Sequence, residues 1–543
     1  MCGGDCVSAV KLSFSLTSRF DFIEIKMKRR IALISVSDKT GLPELGAALI
    51  EMGFEIISTG GTARALESEG IPVTSLSDYT GFPEMLDGRV KSLHPKIHAG
   101  LLADRANPDH LSQLEHSGIK PIDLLAVNLY PFQEKRGMDG LDESALREFI
   151  DIGGVALLRA GAKNHPGVVV LSDPADYLPV LGEMKVNGGK LSGDTRRRLA
   201  AQAFRLTCGY DRAIADSLEA KPAAGFPDLL TLNYSLSQTL RYGENSHQSA
   251  AFYTEGKLPV GSSILSARQI QGKELSYNNI LDLESSLSLV LDLNGPASVI
   301  IKHTNPCGVA TSDTLLESYI RARTTDPLSA FGSIIAFNGE VDEDLAGEVT
   351  STFVEAVIAP SYTPEALQRF SRKKNLRILE LGDLRTRSPY HSLRSIYGGL
   401  LIQDADSIRW DRDTIKVVTG SEPTAVEWEA LSFAWIVCKH TRSNAIILGE
   451  GHATIGIGAG QMSRIDAARL AITKARQSDL TIEGSVLASD AFFPFRDVVD
   501  LAAENGVRAI VQPGGSIRDK ESIAAAEEHG ITMVFTGIRH FRH

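Results

Sequence analysis

The sequence predicts an α/β protein with parallel sheet in its first half, followed by a second α/β half. Three observations carry that prediction. Short apolar runs alternate with helix-period segments, Gly-rich turns follow several of those runs, and composition shifts between residues 216 and 232. Strands that alternate with helices build parallel sheets with right-handed crossovers. IALISV (31–36) is a short β-branched run and reads as a buried parallel strand. After SDKTG, Leu42, Leu45, Leu49 and Met52 recur at helical spacing. FEIIS (54–58) is a second strand, and TGGT (59–62) opens a second helix. LLAVNLY (124–130) and VVVLSD (168–173) extend the series. KPAAGFPDL then marks the boundary, which gives one domain over 27–222 and another over 230–543.

The second half carries further strands: ASVIIKH (297–303), SIIAFN (333–338), AIILGE (445–450), SVLASD (485–490), RAIVQP (508–513) and MVFTG (533–537). It also holds a short echo. IKHTNPCG (301–308) and CKHTRSNA (438–445) share Lys-His-Thr at an offset of 137 residues. Either two short strings match by chance, or this half is two copies of one α/β unit.

Composition excludes several classes. The chain has 543 residues, room for three or four domains at about 150 residues each. Its 43% hydrophobic and 23% charged residues are ordinary globular usage, so disorder and coiled coil fail as global descriptions. A net charge of −11 argues against a general nucleic-acid binder. No run reaches the roughly 18 apolar residues of a membrane span. Five cysteines are no disulfide framework and suit a reducing cytoplasm. Residues 1–26 read as a tail or an over-long start, with Met27 as the alternative first residue.

Anion sites are the clearest chemical signal. Ser35, Ser37, Lys39 and Thr40 lie at one strand-to-helix turn, and Gly60, Gly61 and Thr62 at the next. Helix N-termini offer free N–H groups and partial positive charge, so phosphate binds there. Plain N-capping accounts for either turn alone. Neither fits GxxxxGK[ST] or GxGxxG, which disfavours an ATPase or a dehydrogenase. DGRVKSLHPKIHAG (87–100) concentrates Arg89, Lys91, His94, Lys96 and His98 in what reads as a loop. NLYPF, IDIGG and AKNHP place Tyr130, Asp151 and Lys163 beside turn signals, where acid–base groups sit well.

In the second half, RYGENSHQ (241–248) is a polar Gly-centred turn. His303 is the best general-base candidate, because imidazole titrates near neutrality. GIGAGQMSR (456–464), SDAFFPFRD (489–497), QPGGSIRD (512–519) and TGIRHF (536–541) read as Gly-rich or Arg-bearing turns suited to anions. Phe492, Phe493 and Phe495 suggest ring stacking, with core packing expected for at least one. HxE with a downstream CxxC is absent from the sequence, so no catalytic zinc is expected.

Taken together, SVSDKTG, STGGT, GFPEMLDGRVKSLHPKIHAG, NLYPF, IDIGG and AKNHP resemble inosinate cyclohydrolase domains. RYGEN, IKHTNPCG, SAFG, IAPSY, GIGAGQMSR and SDAFFPFRD resemble the transformylase domain of the same bifunctional family, in order from about 28 to 543. The resemblance implies a methylglyoxal-synthase-like first domain and two cytidine-deaminase-like units in the second. It implies formyl transfer from 10-formyltetrahydrofolate, a cosubstrate, to AICAR, then closure of formyl-AICAR to IMP with loss of water.

By the same resemblance, Ser37, Lys39, Thr40, Thr59, Gly60, Gly61 and Thr62 hold the nucleotide phosphate. Arg89, Lys91, Ser92, Asn128 and Gly153 line that site, and Lys91, Tyr130, Asp151 and Lys163 move protons and position the formyl group. His303 is the base for formyl transfer, with Lys302 and Asn444 stabilising the formyl oxygen. Arg241, Tyr242, Gly332, Glu355, Arg464 and Arg539 bind AICAR, and Ile465, Phe492 and Asp497 contact the folate. A cytoplasmic homodimer with transformylase sites across its interface is implied, without nucleic-acid or membrane partners. A bound monovalent cation is left open. Ser246 and Ser333 depart from the family's usual Pro and Gly. The competing reading is an inactive relative that binds purine intermediates.

Overall fold

The computed structural model describes residues 30–136, 142–219, 225–255 and 258–543; the tail at 1–26 and the alternative start at Met27 lie outside them. The chain divides into two units between Thr231 and Leu232.

The first unit is built on five parallel strands: β1 (Arg30–Ser35), β2 (Phe54–Ser58), β3 (Thr74–Ser75), β4 (Leu124–Val127) and β5 (Val169–Leu171). Their order is β3-β2-β1-β4-β5. Alternation along β1 feeds two cores. Ala32 and Ile34 pack with Leu45 and Leu49, while Ile31 and Leu33 pack with Leu157 and Leu158. Burial on both faces is why this strand reads as a continuous apolar run. The helices that matter for the site are α1 (Leu42–Glu51), α2 (Gly60–Ser68), α3 (Pro95–Leu102), α4 (Gly153–Lys163) and α5 (Gly193–Leu218). Helix α3 corrects the loop reading of 87–100 from Pro95 onward. Pro95 opens it, His94 Nδ1 accepts the Lys96 N–H at 3.1 Å, and Ile97 and Leu101 enter the core.

Strand order reverses at β1, so the carboxyl ends of β1, β2 and β4 face one crevice, the usual ligand position in an open α/β sheet.

The second unit begins with a hairpin, β6 (Ser235–Leu240) and β7 (Ala250–Thr254). Its main sheet has twelve strands. One half contains β8 (Arg268–Gln271), β9 (Ala297–Lys302), β10 (Asn305–Thr311), β11 (Ser333–Phe337), β12 (Val354–Ala359) and β13 (Arg377–Glu380). A second hairpin, β14 (His391–Ile396) and β15 (Gly399–Asp404), stands apart. The other half contains β16 (Lys416–Val417), β17 (Ile446–Glu450), β18 (Ala453–Gly458), β19 (Val486–Ser489), β20 (Ala509–Gln512) and β21 (Thr532–Phe535).

The order β16-β21-β20-β19-β17-β18-β10-β9-β11-β12-β13-β8 reads the same from either end. In each half an antiparallel hairpin is followed by one antiparallel and two parallel pairings, then an antiparallel edge strand. Strands β10 and β18 meet antiparallel at the centre. Helices α6 (Tyr277–Val290), α7 (Leu315–Thr325), α8 (Ala425–Lys439), α9 (Arg464–Gln477) and α10 (Asp497–Glu504) pack on this sheet.

Equivalent strands β9 and β17 start at 297 and 446, an offset of 149 residues. The Lys-His-Thr echo is therefore out of register: Lys302 ends a strand, whereas Lys439 ends a helix. A better internal marker is a glycine under a helix. A Cβ at Gly308 would run into the Ala322 carbonyl of α7, and one at Gly456 into the Ala471 carbonyl of α9. Gly456 and Gly458 thus belong to β18 rather than to the Gly-rich turn read from the sequence.

Candidate active sites

In the first unit the turns after β1, β2 and β4 converge on a cavity of about 650 Å³. Asn128 ties the first turn to the third: its Oδ1 accepts the Ser37 and Asp38 N–H groups, and its Nδ2 donates to the Asp38 carbonyl at 2.9 Å. Thr62 ties the second turn to the first, because its hydroxyl donates to Val36 O at 3.0 Å and accepts Val36 N–H at 3.1 Å. Ser35 and Thr59 share a hydroxyl contact of 2.9 Å. Lys39 Nζ donates to Thr62 Oγ1 at 3.2 Å and to the Val36 carbonyl, and burial lowers its pKa. A Cβ at Gly60 or Gly61 would meet nothing within 4 Å, so the first amides of α2 stand open to a ligand.

The opposite wall is the start of α4. Asp151 Oδ1 accepts the Gly154 N–H at 2.7 Å. Burial pushes its carboxyl up, against the pull of that amide and of Lys91. Gly153 lies so close to Ser92 that a Cβ would collide with its hydroxyl. Lys39, Arg89, Lys91 and Arg147 line the cavity together with Glu148 and Asp151, four cationic side chains to two carboxylates, an excess of positive charge that suits a phosphate. Arg89 is paired with Glu148, and Lys91 lies 3.6 Å from Glu84.

Ser37, Lys39, Thr59, Gly61, Thr62, Arg89, Lys91, Ser92, Asn128, Tyr130, Asp151 and Gly153 all line this cavity. Thr40 does not; its hydroxyl donates to Asp38 Oδ1 at 2.7 Å and holds that carboxyl below its ordinary value. Gly60 is one residue outside the lining. Lys163 is at the far end of α4 and lines a neighbouring cavity of about 890 Å³, which Asp151 and Ile152 also border. Ser35 of the first turn lines the cavity as well; sequence reasoning missed Arg147 and Glu148, which carry no turn or motif signal of their own.

In the second unit, strand register gathers the candidates on one edge of the large sheet. There β9 and β18 end, β10 and β17 begin, β11, β12 and β13 begin, and β19, β20 and β21 end. Lys302 closes β9 and Glu355 is the second residue of β12, while His303, Gly332, Asn444, Arg464, Phe492 and Arg539 lie just outside strand ends on that edge. Lys302 Nζ donates to Phe331 O at 2.7 Å, next to Gly332, and Glu355 pairs with Arg377 at 2.8 Å. Lys302 and His303 border a cavity of about 200 Å³ that also contains Cys307, Asp326 and Lys474.

Arg464 is buried. It donates to Asn444 Oδ1 at 2.7 Å and to Ser489 Oγ at 3.0 Å, and it pairs with Asp490. Asn444 in turn donates to Gln461 O at 2.8 Å, so its amide is held from both ends. Asp490 is a supporting residue that sequence reasoning missed. Ile465 starts α9, Asp497 starts α10, and Arg539 stacks on Phe541 with 5.0 Å to the ring centre. Phe493 is core, whereas Phe492 and Phe495 are exposed.

Arg241 lies over the Tyr242 ring at 5.6 Å, just past β6, and Asn278 at the start of α6 donates to Glu244 O at 3.3 Å. Neither Arg241 nor Tyr242 borders the Lys302–His303 cavity. Ser246 and His247 sit in an exposed turn; Ser333 opens β11 with its hydroxyl buried and unpartnered. Among the described residues no group of three or more His, Cys, Asp or Glu is placed to hold a metal ion, and no helix is long and apolar enough to cross a membrane.

Comparison with known proteins matches both units. The family model described as MGS-like domain matches residues 41–156, and the one described as AICARFT/IMPCHase bienzyme matches residues 161–474. A bifunctional purine biosynthesis protein PurH of Halalkalibacterium halodurans is 51% identical over 519 residues, covering 95% of this chain and 100% of that protein. A solved structure, the crystal structure of ForH, is 35% identical over 35% of this chain and 100% of its own, with a TM-score of 0.32. The chain belongs to the family of bifunctional AICAR formyltransferase and IMP cyclohydrolase enzymes of purine biosynthesis.

Proposed function

We propose that the two sites divide the last two steps of IMP synthesis, with formyl transfer at the edge of the large sheet and ring closure in the first unit. The carrying observation is the convergence of two helix N-termini and four cationic side chains on the 650 Å³ cavity beside Asp151. That combination suits a phosphorylated nucleotide precursor. Ser37, Lys39 and the amides of Gly60 and Gly61 would take its phosphate, with Thr59 and Thr62 holding the turn around them.

Ring closure joins the carboxamide nitrogen to the formyl carbon and expels the formyl oxygen as water. Nucleophile and electrophile belong to one molecule, so holding them in contact supplies much of the acceleration. Lys91 and Tyr130 would polarise the formyl oxygen. Asp151, whose carboxyl is pushed up by burial, would exchange protons between the nitrogen and the departing oxygen. Lys163 would assist from the adjoining cavity.

At the sheet edge, 10-formyltetrahydrofolate as a cosubstrate would supply the formyl group. His303 would take the proton of the AICAR amine. Lys302 and Asn444 would stabilise the oxygen as the carbonyl becomes tetrahedral. Arg241, Tyr242, Gly332, Glu355, Arg464 and Arg539 would orient AICAR, with Ile465, Phe492 and Asp497 on the folate side. Two copies would assemble, a reading supported by the exposed apolar residues of the β14–β15 hairpin, and the cytoplasm would be their compartment.

The test is one incubation of the purified chain with AICAR and 10-formyltetrahydrofolate, with the nucleotides identified by mass. IMP is the expected product. Formyl-AICAR accumulating without catalysed closure would overturn the first-unit assignment, and unchanged AICAR would overturn the transformylase assignment.

A further inference from the structure

His303 and Thr304 are the two residues that join β9 to β10, and both lie in the left-handed region, with φ of 52° and 62°. Two-residue hairpins of this hand are normally built from pairs such as Asn-Gly, because both central residues need positive φ. A β-branched Thr there is disfavoured, since its Cβ crowds the neighbouring carbonyl.

That penalty is offset from outside the hairpin. Half-buried Asp282, on α6, accepts one amide on each carboxylate oxygen. Oδ2 takes the His303 N–H at 3.2 Å, and Oδ1 takes the Thr304 N–H at 2.6 Å. Arg442 adds a second anchor. Its Nε donates to Thr304 Oγ1 at 2.8 Å, and its backbone N–H donates to Asn305 Oδ1 at 3.0 Å. Burial raises the Asp282 carboxyl, while the two amides and His303 pull it down, so the turn and the charged carboxylate sustain one another.

We propose that Asp282 is a positioning residue for formyl transfer: its carboxylate holds the His303–Thr304 turn in its left-handed pair and so sets where Lys302 and His303 present their side chains. The inference rests on the transformylase reading of this sheet edge. It needs no contact between Asp282 and substrate.

Steady-state kinetics on the full chain test it. Asp282→Asn keeps the size of the side chain but turns one acceptor into an NH₂ that faces a backbone N–H. The transformylase kcat is expected to fall about 10²-fold, as for a misplacement of about 1 Å at a reacting group. The KM for AICAR should stay within about threefold, because binding groups are untouched. The cyclohydrolase rate on formyl-AICAR should be unchanged.

Adding Thr304→Asn, a residue that tolerates positive φ and retains an acceptor for Arg442, should restore kcat by about tenfold. An unchanged kcat in Asp282→Asn overturns the inference. So does a loss that Thr304→Asn leaves in place while the melting temperature is unaltered. Should Asp282→Asn not fold, Asp282→Glu is decisive: a reduced kcat at constant KM supports the inference, and parental kcat overturns it. A parent without transformylase activity sinks the transformylase reading itself, whereas an active parent indifferent to Asp282 sinks this inference alone.

Discussion

Tyr210 shows how one hydroxyl reaches the chemistry of the first unit. From the long helix α5 it donates to Phe149 O at 2.6 Å and accepts the Asp151 N–H at 2.8 Å, fixing the backbone that carries Asp151. Tyr210→Phe leaves two half-buried backbone groups without that partner, so a loss of about 1 kcal/mol is expected in denaturant melts, with a lower cyclohydrolase rate. A pH dependence accompanies it. Burial pushes the Tyr210 phenol from 10.0 to about 12, so the folded state favours the neutral form. The stability gained is complete below pH 10.0 and lost as pH rises toward about 12. The difference in stability between the parent and Tyr210→Phe should shrink across that window; a constant difference would disprove the account. Ser333 is the opposite case. Its buried hydroxyl has no partner, so Ser333→Ala should stabilise the second unit by about 1 kcal/mol, read as a higher melting temperature.

Glycines separate two uses of one residue type at the scale of elements. Gly61 is the second residue of α2 and has space beyond its Cα, so Gly61→Ala should leave the melting temperature unchanged or higher. It should still raise the KM for formyl-AICAR, because the added methyl stands where the phosphate must approach the amides. Gly308 sits under α7, and Gly308→Ala forces strand and helix apart at a cost of about 3 kcal/mol or more. Thermal melts and KM should therefore move in opposite patterns for the two variants.

What was legible at this scale follows from burial. FEIIS matches β2, and the runs for β9, β11, β17, β19, β20 and β21 fall within a residue or two of the observed strands, because both faces of each are covered. The hairpins β6–β7 and β14–β15 were not legible, since they are largely exposed and lack a continuous apolar run. Strand β18 was hidden by glycines that the helix above it requires. Asp282, Asp490 and Tyr210 escaped for another reason: each acts through a partner far away in sequence, and no local spacing signals such a contact.

For the whole molecule, the two activities should be separable by one surface. Among the described residues the first-unit cavity is lined from Ser35 to Gly154, and Lys163 of the adjoining cavity belongs to the same unit, so ring closure as proposed would draw on a single local fold. The sheet-edge candidates are spread from Arg241 to Arg539 over a hairpin, a long edge and the C-terminal segment. The separate β14–β15 hairpin presents Ile396, Leu401 and a fully exposed Tyr397 to solvent, a cluster that a monomer has reason to cover. If a second copy covers it, Ile396→Asp combined with Leu401→Asp should place two charges in that contact and release monomers. Sedimentation should then show half the parental mass, transformylase turnover should be lost, and cyclohydrolase turnover should persist because its cavity needs no partner. A variant that stays dimeric and keeps both activities would move the interface elsewhere. One that becomes monomeric with full transformylase activity would show that a single chain completes the sheet-edge site.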